Sequence, residues 1–256
     1  MNNLIRMERY KLFHNIVFWI FLIGMTALGF YSGKDYRVEY WAHTVTGVSV
    51  NSFSGVFNSM VADSVIFMVA VSSLLGWFIG REFSNRTLSM EVASGHSRRD
   101  IYLSKVIVNL TAYNIVMILY PLAGAISQIG YFGTGDLLNN ILNILRTSVY
   151  MFLLQTAFFS VTVMIAFLLR SGVKTAVVAP VASFVLAMIF AVFMTKELPM
   201  GVLFVDPIYR LREITSMGST LAWPGIINIP AILSSIVWTG GCSIIILKNF
   251  KRSELK

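Results

Sequence analysis

Residues 80–105 read GREFSNRTLSMEVASGHSRRDIYLSK and form the most polar continuous stretch of the chain. The stretch carries five of the twenty lysine and arginine residues. A long apolar run precedes it and another follows it. This arrangement predicts that the chain crosses a membrane, turns in a basic insert and crosses back.

The composition places the rest of the chain in the same environment. Hydrophobic residues make up 56% of the chain and charged residues 12%, and the mean hydropathy is +0.73. Soluble domains carry about twice that share of charge. Because several apolar runs reach the roughly 20 residues that cross a hydrocarbon core, we expect residues 1–256 to form one all-α integral membrane domain.

The apolar runs predict six transmembrane helices, since backbone polar groups in lipid must be satisfied within each segment. A tight polar turn, RSGVK at 170–174, joins the fourth span to the fifth. The six predicted spans are 14–31, 60–80, 106–130, 147–169, 175–194 and 226–247.

The distribution of basic residues predicts the orientation. If the N-terminus is cytoplasmic, the inner segments hold fourteen lysine and arginine residues and the outer segments six. The positive-inside rule then places both termini and the insert in the cytoplasm. The net charge of +8 is explained by an anionic lipid surface and not by nucleic acid, because the basic residues flank apolar runs.

Two outer segments interrupt this pattern. Residues 32–59 are expected to form a loop with mixed charge followed by small polar residues. Residues 195–225 are too polar to span and too apolar for a free loop, so they form either a half-buried, re-entrant piece or a helix lying flat at the interface.

Sites of enzymatic chemistry are missing from the sequence. It contains no G-x-x-x-x-G-K-[ST] phosphate loop, no H-E-x-x-H zinc motif and no G-x-S-x-G nucleophile elbow. The lone cysteine, Cys242, lies in an apolar run and is expected to be a small buried side chain. We therefore expect no catalytic residue, no metal site and no cofactor in this chain.

Polar residues within the predicted spans are few. No ionisable residue is expected deep in a span, since Asp63 and Arg146 fall at outer helix ends within reach of water. The remaining polar side chains are amides, which either form interhelical hydrogen bonds or line a substrate path. They are Asn109, Asn114, Gln128 and Gln155.

The basic insert is predicted to contain a short helix, a turn and a capped re-entry into the membrane. Phe83 and Met90 share one helical stripe, and Leu88 and Val92 share another, so the helix has two apolar surfaces to cover. Residues 94–97, SGHS, break the helix. Ser97 and Asp100 form a capping box that starts the third span. An alternative is a positive-inside loop that only fixes topology.

The insert resembles the first cytoplasmic loop of ABC-2 transporter permeases, the membrane subunits of one class of ATP-driven exporters. Members of the family carry a glutamate ending the second span, a Gly-Thr pair, a Pro-x-Ser-Arg turn and a lysine entering the third span. The matching positions are Glu82, Thr87, Ser97, Arg98 and Lys105, whereas Arg86 replaces the usual glycine and Gly95-His96 the usual proline.

The resemblance implies that the insert is a coupling helix that docks on a separate ATPase subunit, which would supply ATP and Mg. Two permeases, identical or paralogous, and two ATPases would form the transporter, and residues 2–13 would be the interfacial elbow helix. The residues expected to bind the ATPase are Glu82, Phe83, Arg86, Thr87, Leu88, Met90, Glu91, Ser97 and Arg98.

The resulting functional hypothesis is a permease subunit in the bacterial plasma membrane that exports a hydrophobic or amphipathic substrate. Small permeases of this family handle bacteriocins, lantibiotics, cytolytic peptides or drugs. The outer segments suggest an alternative, a membrane immunity or sensor protein that binds a peptide or lipid without transport. An intramembrane enzyme is a third hypothesis, weakened by the missing motifs.

Overall fold

The computed structural model describes residues 1–37, 50–195, 206–217 and 228–252. These residues form eleven α-helices and one 3-10 helix, Gly33–Arg37, without a strand among them. The helices are α1 (Asn2–Phe13), α2 (Ile16–Ser32), α3 (Phe53–Ala62), α4 (Val65–Ser84), α5 (Thr87–Ala93), α6 (Arg98–Ser127), α7 (Ile129–Phe132), α8 (Leu137–Leu169), α9 (Gly172–Thr195), α10 (Pro207–Met217) and α11 (Ile229–Arg252).

Long apolar helices confirm the prediction of a multi-pass, all-α membrane protein. Five segments of the described chain are long and apolar enough to span a membrane. They are Ile16–Tyr36, Val65–Ser84, Arg98–Phe132, Leu137–Leu169 and Ile229–Phe250. The predicted fifth span, 175–194, coincides with α9, which is apolar over Gly172–Leu186 but is not among these five. The count of six spans stays a prediction.

Side-chain caps set where several helices begin. The Ser97 hydroxyl accepts the Asp100 backbone N–H at 3.1 Å, so α6 begins at Arg98 instead of the predicted 106, and the predicted cap by Ser97 is confirmed. The carboxylate of Asp136 accepts from the Asn139 N–H at 3.3 Å, so α8 begins at Leu137 instead of 147. Hydropathy locates the apolar part of a helix, whereas caps decide its first residue.

The early start of α8 corrects the expectation for Arg146. This side chain was predicted to lie at an outer helix end near water. Since the helix continues for two more turns before it, Arg146 is covered by the surrounding helices and is only 4% exposed.

Helix α3 corrects the predicted loop 32–59 and the predicted start of the second span at residue 60. All ten of its residues are buried, and α4 begins separately at Val65. The polar residues that suggested a loop face neighbouring helices: Ser54 donates to Asn140 at 2.6 Å, and Asn58 accepts from Thr147 at 2.8 Å. Residues 38–49 of the predicted loop lie outside the described residues.

Helix α10 is the described part of the predicted outer segment 195–225. Ile208, Leu211 and Ile214 form its buried stripe. The helix packs against α3 and α8. Residues 196–205 and 218–227 lie outside the described residues, so the choice between a re-entrant and an interfacial segment stays open.

The long helices run alternately between two ends of the bundle. At one end, the Gly172 N–H, at the start of α9, donates to Ser84 Oγ at 3.2 Å, at the end of α4. There too, Arg98 lies 5.6 Å from the ring centre of Phe250. Helices α1 and α5 lie at this end, which we call the α1 end, and α3 and α10 lie at the opposite one, the α10 end.

Glycine allows the helices to approach closely. A side chain at Gly29 of α2 would collide with the backbone carbonyl of Tyr120 in α6, and a Cβ at Gly172 would lie 3.0 Å from the Cα of Arg81 in α4. Such small-residue contacts are typical of helix packing in membranes, where association depends on close van der Waals contact. Cys242 is 4% exposed, as predicted for a small buried side chain.

Candidate functional site

Five ionisable side chains from four helices meet at the α1 end. We call them the charge cluster: Glu8 and Lys11 of α1, Glu82 of α4, Glu91 of α5 and Lys105 of α6. The short helix α5, which the sequence identified as the candidate coupling helix, is thereby connected to three other helices.

Lys105 lies at the centre of the charge cluster. Its side chain is 0% exposed, two turns into α6. Its ammonium group lies 2.8 Å from Glu8 Oε1 and 3.2 Å from Glu91 Oε1, and it also contacts Glu82 Oε2. A single buried cation therefore holds carboxylates from three other helices.

The sequence did not predict that Lys105 is fully buried. Lys105 lies inside the candidate span Arg98–Phe132. The sequence placed it at the membrane entry, beside other basic residues. The carboxylates that make its burial tolerable come from distant parts of the chain, since a buried charge is stable only when it is paired.

Lys11 forms the second cation of the charge cluster. Its ammonium group lies 2.9 Å from Glu8 Oε1, 3.1 Å from Glu82 Oε1 and 3.2 Å from Glu91 Oε1. Burial alone would lower the pKa of Lys11, but the three carboxylates, led by Glu82, outweigh burial and raise this pKa above its usual range. Lys11 therefore stays protonated at physiological pH.

The three carboxylates could in principle hold a cation, because their oxygens lie within 4.8 Å of one another. Oxygen ligands of this kind suit a hard divalent ion. However, the ammonium groups of Lys11 and Lys105 already bond to these oxygens. The arrangement therefore fits a salt-bridge network whose cations are lysines.

A cavity of about 240 Å³ borders the charge cluster. Charged and amide side chains form most of its polar lining, and Phe78 and Ile79 of α4 contribute apolar walls. The polar lining includes Glu8, Lys11, Asn15, Arg81, Glu82, Asn85, Thr87 and Asn109. Three of the predicted site residues, Glu82, Thr87 and Asn109, thus line this cavity.

Helix α5 uses one face for internal packing. Leu88 is 1% exposed and Glu91 6%, so neither is available to a partner in this conformation. This corrects the prediction that both belong to a docking surface. The sequence pattern could not show that Glu91 is turned inward by the buried Lys105 and the partly buried Lys11.

The opposite face of α5 is open. Met90 is 63% exposed, and Arg86 and Ala93 are exposed beside it. Arg86 adopts a left-handed conformation, with φ of 55°, immediately before the first residue of α5. This conformation turns the chain sharply between α4 and α5, and glycine adopts it more readily than any other residue.

The other predicted docking residues have structural contacts at the α1 end. Phe83 belongs to the last turn of α4 and packs edge-on against Phe167 and Phe250. Arg98 donates to the Phe250 carbonyl. Ser97 is exposed and caps α6. The break at residues 94–97 is confirmed, with Gly95 at φ of 88°.

The four amides are not brought together. Asn109 and Asn114 donate to the carbonyls of Lys105 and Leu110, one turn back in their own helix, at 2.9 Å each. Gln128 ends α6 and donates to Ser127 at 2.6 Å. The bonds of Asn109 and Asn114 lie within α6, so these two amides do not provide the predicted interhelical hydrogen bonds.

Asn114 and Gln155 do share a surface. Both line a cavity of about 40 Å³ between α6 and α8. Among the described residues, no group bonds to Asn114 Oδ1 or to either amide atom of Gln155. A cavity of this size has room for a water molecule with polar partners and not for a peptide.

Glu8 and Lys11 are the site residues that the sequence reasoning missed. Leu4, Glu8 and Leu12 form the buried stripe of α1 at intervals of four residues. A search for apolar stripes alone could not find it, because its central member is charged. The i, i+3 spacing of Glu8 and Lys11 is a weak signal, since such pairs are common on solvated helices.

Comparison with known proteins adds no relative at this point. No protein-family model and no curated protein matches the chain.

Proposed function

We propose that this chain is the permease subunit of an ATP-driven exporter of the ABC-2 type in a bacterial plasma membrane. Its α1 end faces the cytoplasm, and α5 docks on a separate ATPase subunit that binds ATP and Mg. Two permeases and two ATPases form the working transporter. The cargo is a hydrophobic or amphipathic molecule such as a small peptide or drug.

The connection between α5 and the charge cluster is the observation that supports this proposal most directly. Glu91 lies on α5, and it contacts Lys11 of α1 and Lys105 of α6. Because a buried ion pair is costly to separate, a displacement of α5 is carried to α1 and α6. Coupling between distant sites travels through such contiguous contacts.

The exposed face of α5 supplies the surface that a partner would grip. Met90 offers a flexible apolar side chain that adapts to different surfaces. Arg86 adds a charge at the start of the helix. The docking surface is therefore proposed to consist of Arg86, Met90 and Ala93, with Ser97 at its edge.

The cargo path requires a conformation other than the one described. The cavity at Asn114 and Gln155 is too small for a peptide. In the proposed mechanism, ATP binding to the partner moves α5, and the bundle rearranges to open a path. ATP shifts this equilibrium only by its different affinity for the two states of the complex.

Co-purification with candidate ATPases tests the docking surface. We expect Met90→Glu and Arg86→Glu to lower recovery of the ATPase at least tenfold while membrane insertion is unchanged. Arg99→Glu is the matched control, because Arg99 is exposed at the same end but lies on α6. Unchanged recovery with both α5 variants would remove this surface from the proposal.

Glu91→Gln separates docking from coupling. The substitution keeps the shape of the buried side chain and the exposed face of α5 but weakens the contacts to both lysines. We expect normal ATPase recovery and a severalfold loss of cargo-stimulated ATP hydrolysis in lipid nanodiscs. Full biological function after deletion of the ATPase gene would instead favour a membrane immunity or sensor protein.

A further inference from the structure

An apolar groove of about 210 Å³ lies beneath α1. Its walls come from α1, from the start of α2 and from the middle of α6. Phe13 and Phe18 close one side, and Ile107, Val108 and Ile115 of α6 form the floor. Both α2 and α6 belong to candidate membrane spans, so the groove opens towards the hydrocarbon that surrounds them.

The groove favours an apolar occupant. Thr111 and Arg9 are the polar residues of its lining, and the Thr111 hydroxyl already donates to the Ile107 carbonyl at 2.7 Å. Apart from Arg9, the lining residues of the groove offer a hydrophilic ligand no free polar side chain. An acyl chain that moves from the bilayer into the groove exchanges lipid contacts for contacts with apolar side chains, so its entry carries no desolvation cost.

The length of the groove matches one leaflet. From Ile107 to Ile115 the floor follows α6 for about 12 Å at 1.5 Å per residue. One leaflet contributes about half of the ~30 Å hydrocarbon core. Lys105 lies one turn before Val108 and Asn109 in α6. The charge cluster therefore lies beside the end of the groove that is nearest the membrane surface.

A cation borders the groove. Arg9 lines the groove and is exposed. Among the residues that the structure describes, no carboxylate pairs with Arg9, whereas Lys11 of the same helix belongs to the charge cluster. A guanidinium group binds phosphate with two parallel hydrogen bonds, so Arg9 complements a phosphate group at the groove entrance.

We propose that this groove is a specific site for one anionic phospholipid, with an acyl chain along α6 and the phosphate group at Arg9. The lipid would pack under α1 and support the helix that carries Glu8 and Lys11. This site does not depend on the proposed transport function, because it would be present in any membrane protein with this fold.

Photoaffinity labelling tests the site. The full-length chain is placed in nanodiscs that contain phosphatidylglycerol with a photoreactive acyl chain, and cross-linked peptides are mapped. We expect labelling to concentrate on residues 5–22 and 107–115. Thr111→Phe, which fills the groove from an exposed position, should reduce this labelling at least fivefold.

Val149→Phe is the matched control. Val149 is 57% exposed on α8, outside the groove, so the added ring should leave labelling unchanged. Equal losses in both variants, or labelling spread evenly over the exposed helices, would overturn the proposal. Cross-links between two copies of the chain through the groove would assign it to a protein interface and also overturn it.

Arg9→Gln tests the phosphate contact separately. A basic residue near a membrane surface contributes about 1 kcal/mol towards anionic lipid, which corresponds to about a fivefold change in affinity. We expect the preference for phosphatidylglycerol over phosphatidylcholine, measured by competition, to fall by about that factor. Arg6→Gln is the control, because Arg6 is exposed on the same helix but lies outside the groove, and this variant should keep the lipid preference. An unchanged lipid preference in Arg9→Gln would contradict the phosphate assignment.

Discussion

The two ends of the bundle are held together by different chemistry. At the α1 end, the charge cluster joins four helices through ionic contacts around Lys105. At the α10 end, hydrogen bonds in which at most one partner is charged join the helices. Ser54 donates to Asn140, Thr147 to Asn58 and the Asn228 N–H to Tyr150, while Tyr36 and the Asn228 amide donate to the carboxylates of Asp63 and Glu213. The ion pair of Arg210 with Glu213 lies within a single helix there.

The loss of a single contact therefore has different consequences at the two ends. A neutral hydrogen bond in a membrane protein is worth about 0.6 kcal/mol on average, so its loss leaves the helices in place. Removing one partner of a buried ion pair leaves an uncompensated charge. The α1 end therefore behaves as one unit, which suits a region proposed to receive force from a partner subunit.

Loss of the central cation should have the largest effect. In Lys105→Met, Glu8, Glu82 and Glu91 keep Lys11 as their one remaining ion-pair partner among the described residues. We expect a loss of about 3–5 kcal/mol in the free energy of unfolding and rapid proteolysis of α1. Thermal unfolding in nanodiscs measures the first effect and limited proteolysis the second.

Lys174→Met is the control for that experiment, because Lys174 is exposed on α9 and should tolerate the change. Adding Glu91→Gln to Lys105→Met should recover part of the lost stability. Equal stability of Lys105→Met and the wild type would show that the charge cluster is not a structural unit.

The protonation of Asp206, at the α10 end, should have an intermediate effect on stability. Burial raises the pKa of this carboxyl to about 6. The backbone N–H groups of Ile208 and Tyr209 and the charges of Arg210 and Arg212 act in the opposite direction and lower the pKa, but burial outweighs them. The folded protein therefore binds a proton that the unfolded chain releases near pH 4. Wild-type stability should fall as the pH rises from about 4 to about 6 and should then level off.

Asp206→Asn should remove this dependence, since the amide oxygen can still accept from the Ile208 N–H at the start of α10. The stability difference between variant and wild type should grow by on the order of 2–3 kcal/mol across that pH range. Unfolding temperatures measured in parallel from pH 4 to 7.5 give this difference. A difference that does not change with pH would show that the pKa of Asp206 is the same in the folded and the unfolded protein.

A neutral contact at the α10 end should give the smallest effect. Thr147→Val removes the hydroxyl that donates to Asn58 Oδ1 at 2.8 Å and keeps the branched shape. We expect a loss of about 0.6 kcal/mol and no more than about 1.7 kcal/mol. A double-mutant cycle with Asn58→Ala isolates the pair. A coupling energy as large as the loss of about 3–5 kcal/mol expected for Lys105→Met would show that the two ends do not differ in this way.

The capping signals and the apolar runs show how far local sequence reasoning reaches. Ser97 with Asp100 predicted the start of α6 because a cap depends on residues within one turn. The RSGVK turn is confirmed by the left-handed conformation of Arg170 between α8 and α9. By contrast, Ser54 and Asn58 suggested a loop, and only their partners on α8 show why these residues belong to a buried helix.

Some residues of the candidate site could likewise be predicted from the local sequence, and others could not. Glu82, Glu91 and Lys105 could be identified from the insert and its flanks, although the resemblance assigned Glu91 to an outer docking surface. Glu8 and Lys11 lie far away in the sequence, and nothing in their neighbourhood indicates a buried environment. Their role depends on how α1 packs against α6.

Local sequence was enough to predict a helical membrane protein with a polar, basic insert, because hydropathy, caps and turn residues act over a few residues. The packing of the helices was needed to show that Lys105 is buried among three carboxylates, that α3 is part of the core, and that α5 exposes Met90 and buries Glu91. Those outcomes depend on charges and hydrogen-bond partners brought together from helices that are distant along the chain, and pairing is what makes a buried charge stable.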